Sequence, residues 1–397
     1  MNPSASGWIN KFGHLVEQES SKFEDFNSLY RELKKSGFVY GVHLNIPSFI
    51  EVEHTLSEDE IAKINLLTAL YFTYTFEVGK TDFEDFVNKV FEYYQSLDVS
   101  RISFLNKILT GSKTESQLEK LIDSRIYLSD NTFSRALGNS LTNSLLYVDI
   151  LIFIIYLRGK KNMMEHAQLL EYVTINIVYH ALNSKETHDS DAKLIQLLGS
   201  SLTYVDLDKA KYDGNFSDLL NQNFTGNERD YFLDMACLTI WEDKTLDYTE
   251  TDYIFGLGKD LDKPKKEVEL ELEFVENFFE ENKEKIAYLS NKNLAVQFYD
   301  GMSKNVSKLI LRNSKRLKKE LTESRELVAL LSKSTVKDLS AEEKKKVQNQ
   351  LLDIFKSIPS LAIFMLPGGA VLLPIFIKLI PKLLPSAFDD NRIEENQ

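Results

Sequence analysis

Lys304, Lys308, Arg312, Lys315 and Lys319 recur at steps of four, four, three and four. On a helix those steps place five cations on one face. Such a face binds phosphate oxygens, in anionic lipid headgroups or in ribosomal RNA. An ordinary solvated helix face accounts for the same spacing. Further along, Pro367, Pro374 and Pro381 are spaced by seven, and Pro385 follows four later. Each proline lacks an N–H and crowds the carbonyl four residues earlier. A stripe of carbonyls without their usual donors would line a cation path or a helix-packing surface, or would mark simple kinks. Gly368 and Gly369 follow Pro367 directly and set a re-entrant hairpin beside a straight helix as a reading of the segment.

Other reactive residue types form no recognisable constellation. The six histidines (His14, His43, His54, His166, His180 and His188) include no His-Glu-x-x-His arrangement and read as core or surface residues. Cys237 is the single cysteine, which excludes an intramolecular disulfide and a thiolate metal cluster and fits a reducing compartment. Gly256 and Gly258 lack the third glycine and the Lys-Ser/Thr of a phosphate loop, so they read as a turn. "DKTLDYTETDYI" (243–254) places Asp243, Thr245 and Asp247 at calcium-loop positions. Tyr248 and Ile254, however, occupy the positions that need glycine and glutamate. No Gly-x-Ser-x-Gly elbow is present. The expectation is a protein without enzymatic activity, cofactor or metal.

The elements that position the basic strip and the prolines read as helices. Of 397 residues, 43% are hydrophobic and 11% aromatic, while Gly (16) and Pro (8) are scarce. Ser57-x-x-Glu60 is a capping box ahead of Ile61, Ile64, Leu67 and Tyr71. Phe83, Phe86, Val90 and Tyr94 repeat the helical spacing. "LLYVDILIFIIYL" (145–157) is short of the roughly 20 residues a bilayer needs and contains Asp149, so it reads as a buried core helix. Past Pro264, Glu/apolar alternation suggests a strand. Val268, Leu272, Val275 and Phe279 share a helical face, and a long helix starting after Pro264 is the reading preferred.

The fold class expected is all-α: helical bundle domains, then a long basic helix, then a C-terminal proline-rich apolar membrane segment. The divisions are an N-terminal helical domain (1–140), a second helical domain (141–262), a charged basic neck (263–338), the apolar segment (339–390) and an acidic tail (391–397). Net charge is −13, which argues against a nucleic-acid surface over the whole molecule. Residues 301–356 nevertheless carry 14 Lys/Arg against 7 Asp/Glu. "MACLTIWEDKTLDYTETDYIFGLGKDL" resembles the tellurite-resistance B-like helical domain. Asp243 and Glu250 match that family's aspartate and glutamate, and Lys244 stands where its usual glycine would be. That resemblance implies a helical fold.

Ser357 to Ile377 carries no formal charge, and as one helix it would be about 31 Å long, close to the hydrocarbon thickness of a bilayer. Lys356 and Lys378 bound it and can snorkel. The lysine-rich neck and the acidic tail put the N-terminal bulk in the cytoplasm by the positive-inside rule. No signal or transit peptide is legible at the N-terminus. "DLSAEEKKKVQNQLLDIFKSIPSLAIFMLPGGAVLLPIFIKLIPKLLPSAF" resembles the membrane-segment region of the leucine-zipper/EF-hand transmembrane (LETM) family. The resemblance rests on Leu339, Ser340, Glu343, Pro359, Pro367, Leu372-Leu373-Pro374, Lys378 to Pro381, Leu384-Pro385-Ser386 and Phe388. Ala370 stands where animal members carry a glutamate. The resemblance implies a membrane protein of cation/proton homeostasis, by antiport of potassium or a divalent cation, with membrane lipids as partners. With no transit peptide legible, a bacterial relative is expected, and a homo-oligomer, because one segment cannot enclose a pathway. The resemblance also implies ribosome binding, through a domain expected to follow this segment. The alternative is a ribosome- or lipid-binding tether without transport.

Overall fold

The computed structural model describes residues 1–19, 21–52, 54–97, 114–126, 146–160, 162–184, 192–202, 220, 224–240, 248–282, 285, 294–358, 361, 364–365 and 371–389. Among the described residues all regular structure is helical, in seventeen helices. The body contains α1 (Trp8–Gln18), α2 (Phe26–Lys35), α3 (Glu58–Val78), α4 (Phe83–Ser96), α5 (Glu115–Ile126) and α6 (Leu146–Leu157). It continues with α7 (Met163–Ser184), α8 (Ala192–Ser201), α9 (Gly226–Ile240), α10 (Tyr248–Asp260) and α11 (Lys265–Asn282). The C-terminal part contains α12 (Leu294–Arg312), α13 (Ser314–Glu323), α14 (Arg325–Ser334), α15 (Ala341–Ser357), α16 (Leu373–Leu383) and α17 (Ser386–Asp389).

Local sequence sets several helix ends. Ser57 Oγ accepts from Glu60 N while Ser57 N donates to Glu60 Oε2 at 2.8 Å, the expected capping box. α3 then runs to Gly79, whose φ of 71° turns the chain out of the helix. α11 begins directly after Pro264 and buries Val268, Val275 and Phe279, so the helical reading holds over the strand. Gly13 is required by packing, since a Cβ there would lie 2.5 Å from the Phe83 ring. That is well inside van der Waals contact, so any side chain would push α1 off α4.

α3 is buried on nearly every side and packs against α2, α4, α5 and α6. α6, the greasy 146–157 stretch, is a core helix as expected. It leads to α7, which packs on α8, α9 and α10. Charges inside this core are paired, as burial requires. Arg125 Nε and Nη2 hold the fully buried Asp149 carboxylate at 2.6 and 3.0 Å, and Tyr94 Oη donates to it at 2.8 Å. Lys34 lies 2.8 Å from Asp234 and also bonds Glu271, tying α2 to α9 and α11.

The basic neck differs from the single long helix expected. Among the described residues it is broken into α11, α12, α13 and α14, of 18, 19, 10 and 10 residues. Asn313 separates α12 from α13, its Nδ2 donating to Leu309 O at 2.7 Å. Ser324 (φ −119°, ψ 69°) separates α13 from α14. The breaks let Leu317 and Leu321, then Leu327, Val328 and Leu331, turn inward, which a straight solvated helix would not allow.

Candidate functional site

The C-terminal helices form a small assembly seated on the body. α15 starts at a second capping box: Ser340 N donates to Glu343 Oε2 at 2.9 Å and Ser340 Oγ accepts from Glu343 N. The ammonium of Lys333, 2.5 Å away, and the Ser340 backbone hold the Glu343 carboxyl below its ordinary pKa. α15 ends at Ser357, and Ile358 is extended (φ −115°, ψ 103°). The cause is in the sequence, since a residue preceding proline is pushed out of the helical region. The next α-helix among the described residues, α16, begins at Leu373 with Pro374 in its first turn, where a missing N–H costs nothing.

The apolar run is therefore not one helix. α16 has 11 residues, about 16 Å at 1.5 Å per residue against a hydrocarbon core of about 30 Å. No described helix is long and apolar enough to cross a membrane. Leu373, Ile375, Phe376, Ile377 and Ile380 are buried, and α16 packs against α12, α14 and α8. Phe355, Phe364 and Phe376 form a ring cluster with centroids 4.6 to 5.1 Å apart. The physical reason is partner supply. Met302, Val306, Leu309 and Ile310 of α12 bury an apolar face of their own, so this segment finds protein to cover it.

The motif residues separate accordingly. Pro374 and Pro381 are half-buried on α16, Lys378 is exposed, and Pro385 follows the helix. Pro359, Pro367, Gly368, Gly369 and Ala370 lie outside the described residues. So do Asp243, the side chain of Glu250 and the acidic tail.

The basic strip is also divided. Lys304 is on α12, its side chain undescribed. Lys308 is half-buried, its Nζ without a hydrogen-bond partner among the described residues. Arg312 of α12 and Lys315 and Lys319 of α13 are exposed. Spacing missed Arg316 and Lys318, which are exposed beside them, opposite the buried Leu317 and Leu321. Lys315, Arg316, Lys318 and Lys319 make no ion pair with a described residue. α13 touches α14 and α17, and Ser357 Oγ donates to Glu320 Oε1 at 3.2 Å. The cationic face is thus mounted directly on the proline-rich segment.

A partly enclosed cleft of about 250 Å³ opens between α8, α12, the α14–α15 link and α16. Lys337, Lys344, Lys378 and Lys382 line it with the single carboxylate Asp338. Lys378 Nζ lies 5.9 Å from the centre of the Tyr299 ring. Sequence spacing did not group these lysines, because they come from segments that only tertiary packing joins.

Elsewhere, titratable groups are locked rather than poised. Burial, then the charge of Asp234, pushes Tyr30 and Tyr40 well above the ordinary phenol value. Burial opposes the charge on Lys34, but Asp234 and Glu271 outweigh it and hold its pKa up. Burial also pushes the Cys237 thiol up, so it stays protonated and unreactive. His166 Nε2 lies 2.5 Å from Glu228 Oε1, and Glu228 also accepts from Thr225 N at 2.6 Å. No group of three or more His, Cys, Asp or Glu among the described residues could hold a metal ion.

The run Leu339, Ser340, Glu343 followed by Pro374, Lys378, Pro381 and Pro385 is therefore one folded unit. Residues 339–397 match the family model described as LETM1-like, RBD. No curated protein and no solved structure matches the chain. The match starts at the residue before the α15 cap and takes in α15, α16 and α17. The LETM resemblance thus holds for the C-terminal segment, in a family that is membrane-associated. One expectation is corrected. The ribosome-binding domain was expected after the proline-rich segment, whereas the model bearing that description lies across the segment itself.

Proposed function

We propose that this protein is a membrane-associated, ribosome-binding tether of the LETM type. The observation that carries the reading is the exposed face of Lys315, Arg316, Lys318 and Lys319, without an ion pair to a described residue, on a helix packed against the LETM1-like segment. Four ammonium and guanidinium groups without partners among the described residues are available to phosphate oxygens, and binding them releases counterions from RNA. The acidic remainder of the chain repels RNA, so it orients the encounter toward this face. The test is co-sedimentation of the full chain with ribosomes over a salt series. Binding is expected to fall steeply with salt and to be lost on charge reversal of Lys315, Arg316, Lys318 and Lys319. Unchanged binding by that variant would overturn the reading.

A second reading is cation/proton exchange in the membrane, favoured by the uncharged run 357–377 bounded by Lys356 and Lys378. It requires α16 to leave the bundle and the segment to insert, in several copies around one path. Potassium- or calcium-dependent proton flux in proteoliposomes is the measurement. Flux no greater than that of a Pro374→Ala, Lys378→Ala variant would sink it.

A further inference from the structure

We propose that the cleft between α8, α12, the α14–α15 link and α16 is a binding site for a small phosphate-bearing anion. The argument starts from charge. Lys337, Lys344, Lys378 and Lys382 converge on a space of about 250 Å³, with Asp338 as the one opposing carboxylate among the lining residues. None of the four makes an ion pair with a described residue. Their neighbours do: Lys333 pairs with Glu343 at 2.5 Å, Lys346 with Glu326 at 3.0 Å and Lys356 with Asp353 at 2.6 Å. Glu343, Glu326 and Asp353 are thus taken up by lysines outside the cleft, and the cleft keeps its positive potential. Like charges gathered in one hollow repel, and a bound anion relieves that repulsion.

The shape and lining select the class. Ser334 Oγ and Thr335 Oγ1 donate to carbonyls of their own helix, both at 2.7 Å. Their protons are spent, so the charged donors left for a ligand are the ammonium groups, which bind phosphate as point charges, with Gln196 and Tyr299 lining the same space. α16 opens beside the cleft at Pro374 and Ile375 with no side-chain cap, adding the positive end of its dipole. The chain as a whole is strongly acidic. The attraction is therefore confined to about one Debye length, roughly 8 Å at physiological salt. That range suits a compact anion such as a pyrophosphate or phosphomonoester, free or as a lipid headgroup, rather than a long polyanion. The site is distinct from the α13 face and does not rest on the ribosome reading.

The experiment uses the full chain and two probes. Sodium pyrophosphate is titrated calorimetrically, and phosphatidylcholine vesicles with and without phosphatidic acid are tested by flotation. The variants are Lys378→Gln/Lys382→Gln, both at exposed positions, and Lys11→Gln/Lys35→Gln, exposed on α1 and α2, as the control. The expected result is saturable binding of one probe, weakened at least about tenfold by the cleft variant and unchanged by the control. Saturable pyrophosphate binding identifies a free phosphate ligand, and binding only to phosphatidic acid vesicles identifies a headgroup. Circular dichroism of the cleft variant confirms that it folds. Binding of neither probe at millimolar phosphate, or binding that the cleft variant leaves intact, overturns the proposal. Loss of ribosome binding in the cleft variant without loss of either probe also overturns it.

Discussion

Phe376→Ala tests whether the proline-rich segment is part of the protein core. The ring is fully buried and lies 5.0 and 5.1 Å from the centroids of Phe355 and Phe364. Truncating a buried phenylalanine costs about 3–5 kcal/mol in transfer and cavity terms. Two edge-to-face partners are lost together, which places this site in the upper half of that range. A protein stable by about 5–15 kcal/mol would lose roughly a quarter or more of its stability. The readout is amide hydrogen exchange of the full chain in detergent-free buffer, followed over 373–383 and 294–312. At about 1.4 kcal/mol per decade, protection is expected to fall about a thousandfold or more in both helices, because α16 covers α12. The reasoning is refuted if amides of 373–383 are unprotected in the wild type. It is refuted equally if the substitution costs less than about 1 kcal/mol.

Three further outcomes follow from the described geometry. Arg125→Met strands the Asp149 carboxylate in the core and is expected to cost about 3–5 kcal/mol at pH 7. The urea midpoint at pH 7 measures it, and a shift worth less than about 1 kcal/mol would contradict the pairing argument. His43 is buried with neither ring nitrogen hydrogen-bonded among the described residues, and burial pushes its pKa down from 6.5 to about 3. The unfolded chain then binds the proton first, so stability is lost as pH falls below 6.5, by about 1.4 kcal/mol per unit, and urea titration of His43→Leu should lack that slope. Ser340→Ala removes the α15 cap and is expected to cost about 1 kcal/mol by thermal unfolding, with no change if the box were incidental.

The sequence was most legible where the determinant is local. Ser57 with Glu60, Ser340 with Glu343, and Pro264 ahead of α11 each act within one helical turn, and each appears in the structure as read. Asp149 signalled a core helix rather than a bilayer span because a charge in a 13-residue apolar run needs a partner. No spacing rule could name Arg125, 24 positions away, as that partner. The segment 357–388 is open to two readings in the sequence for a related reason. Hydropathy reports that a stretch must leave water, and both a bilayer and α12 satisfy that demand. The cleft lysines were invisible as a group, since Lys337 and Lys378 meet only after α14 packs on α16.

The docking of α16 on α8 and α12 carries a consequence for synthesis. The chain emerges from its N-terminus, so α8 and α12 are complete about 70 residues before α16. At roughly 5–20 residues per second, their apolar faces wait several seconds without their cover. Nascent chains halted before Leu373 should accordingly be cut by protease within 294–312, and chains released after Phe388 should resist. In that interval "LPIFIKLIPKL" has yet to meet the bundle, and the surface it is to cover is still open. The order of synthesis therefore leaves the apolar face of α12 partly uncovered until α16 has been made.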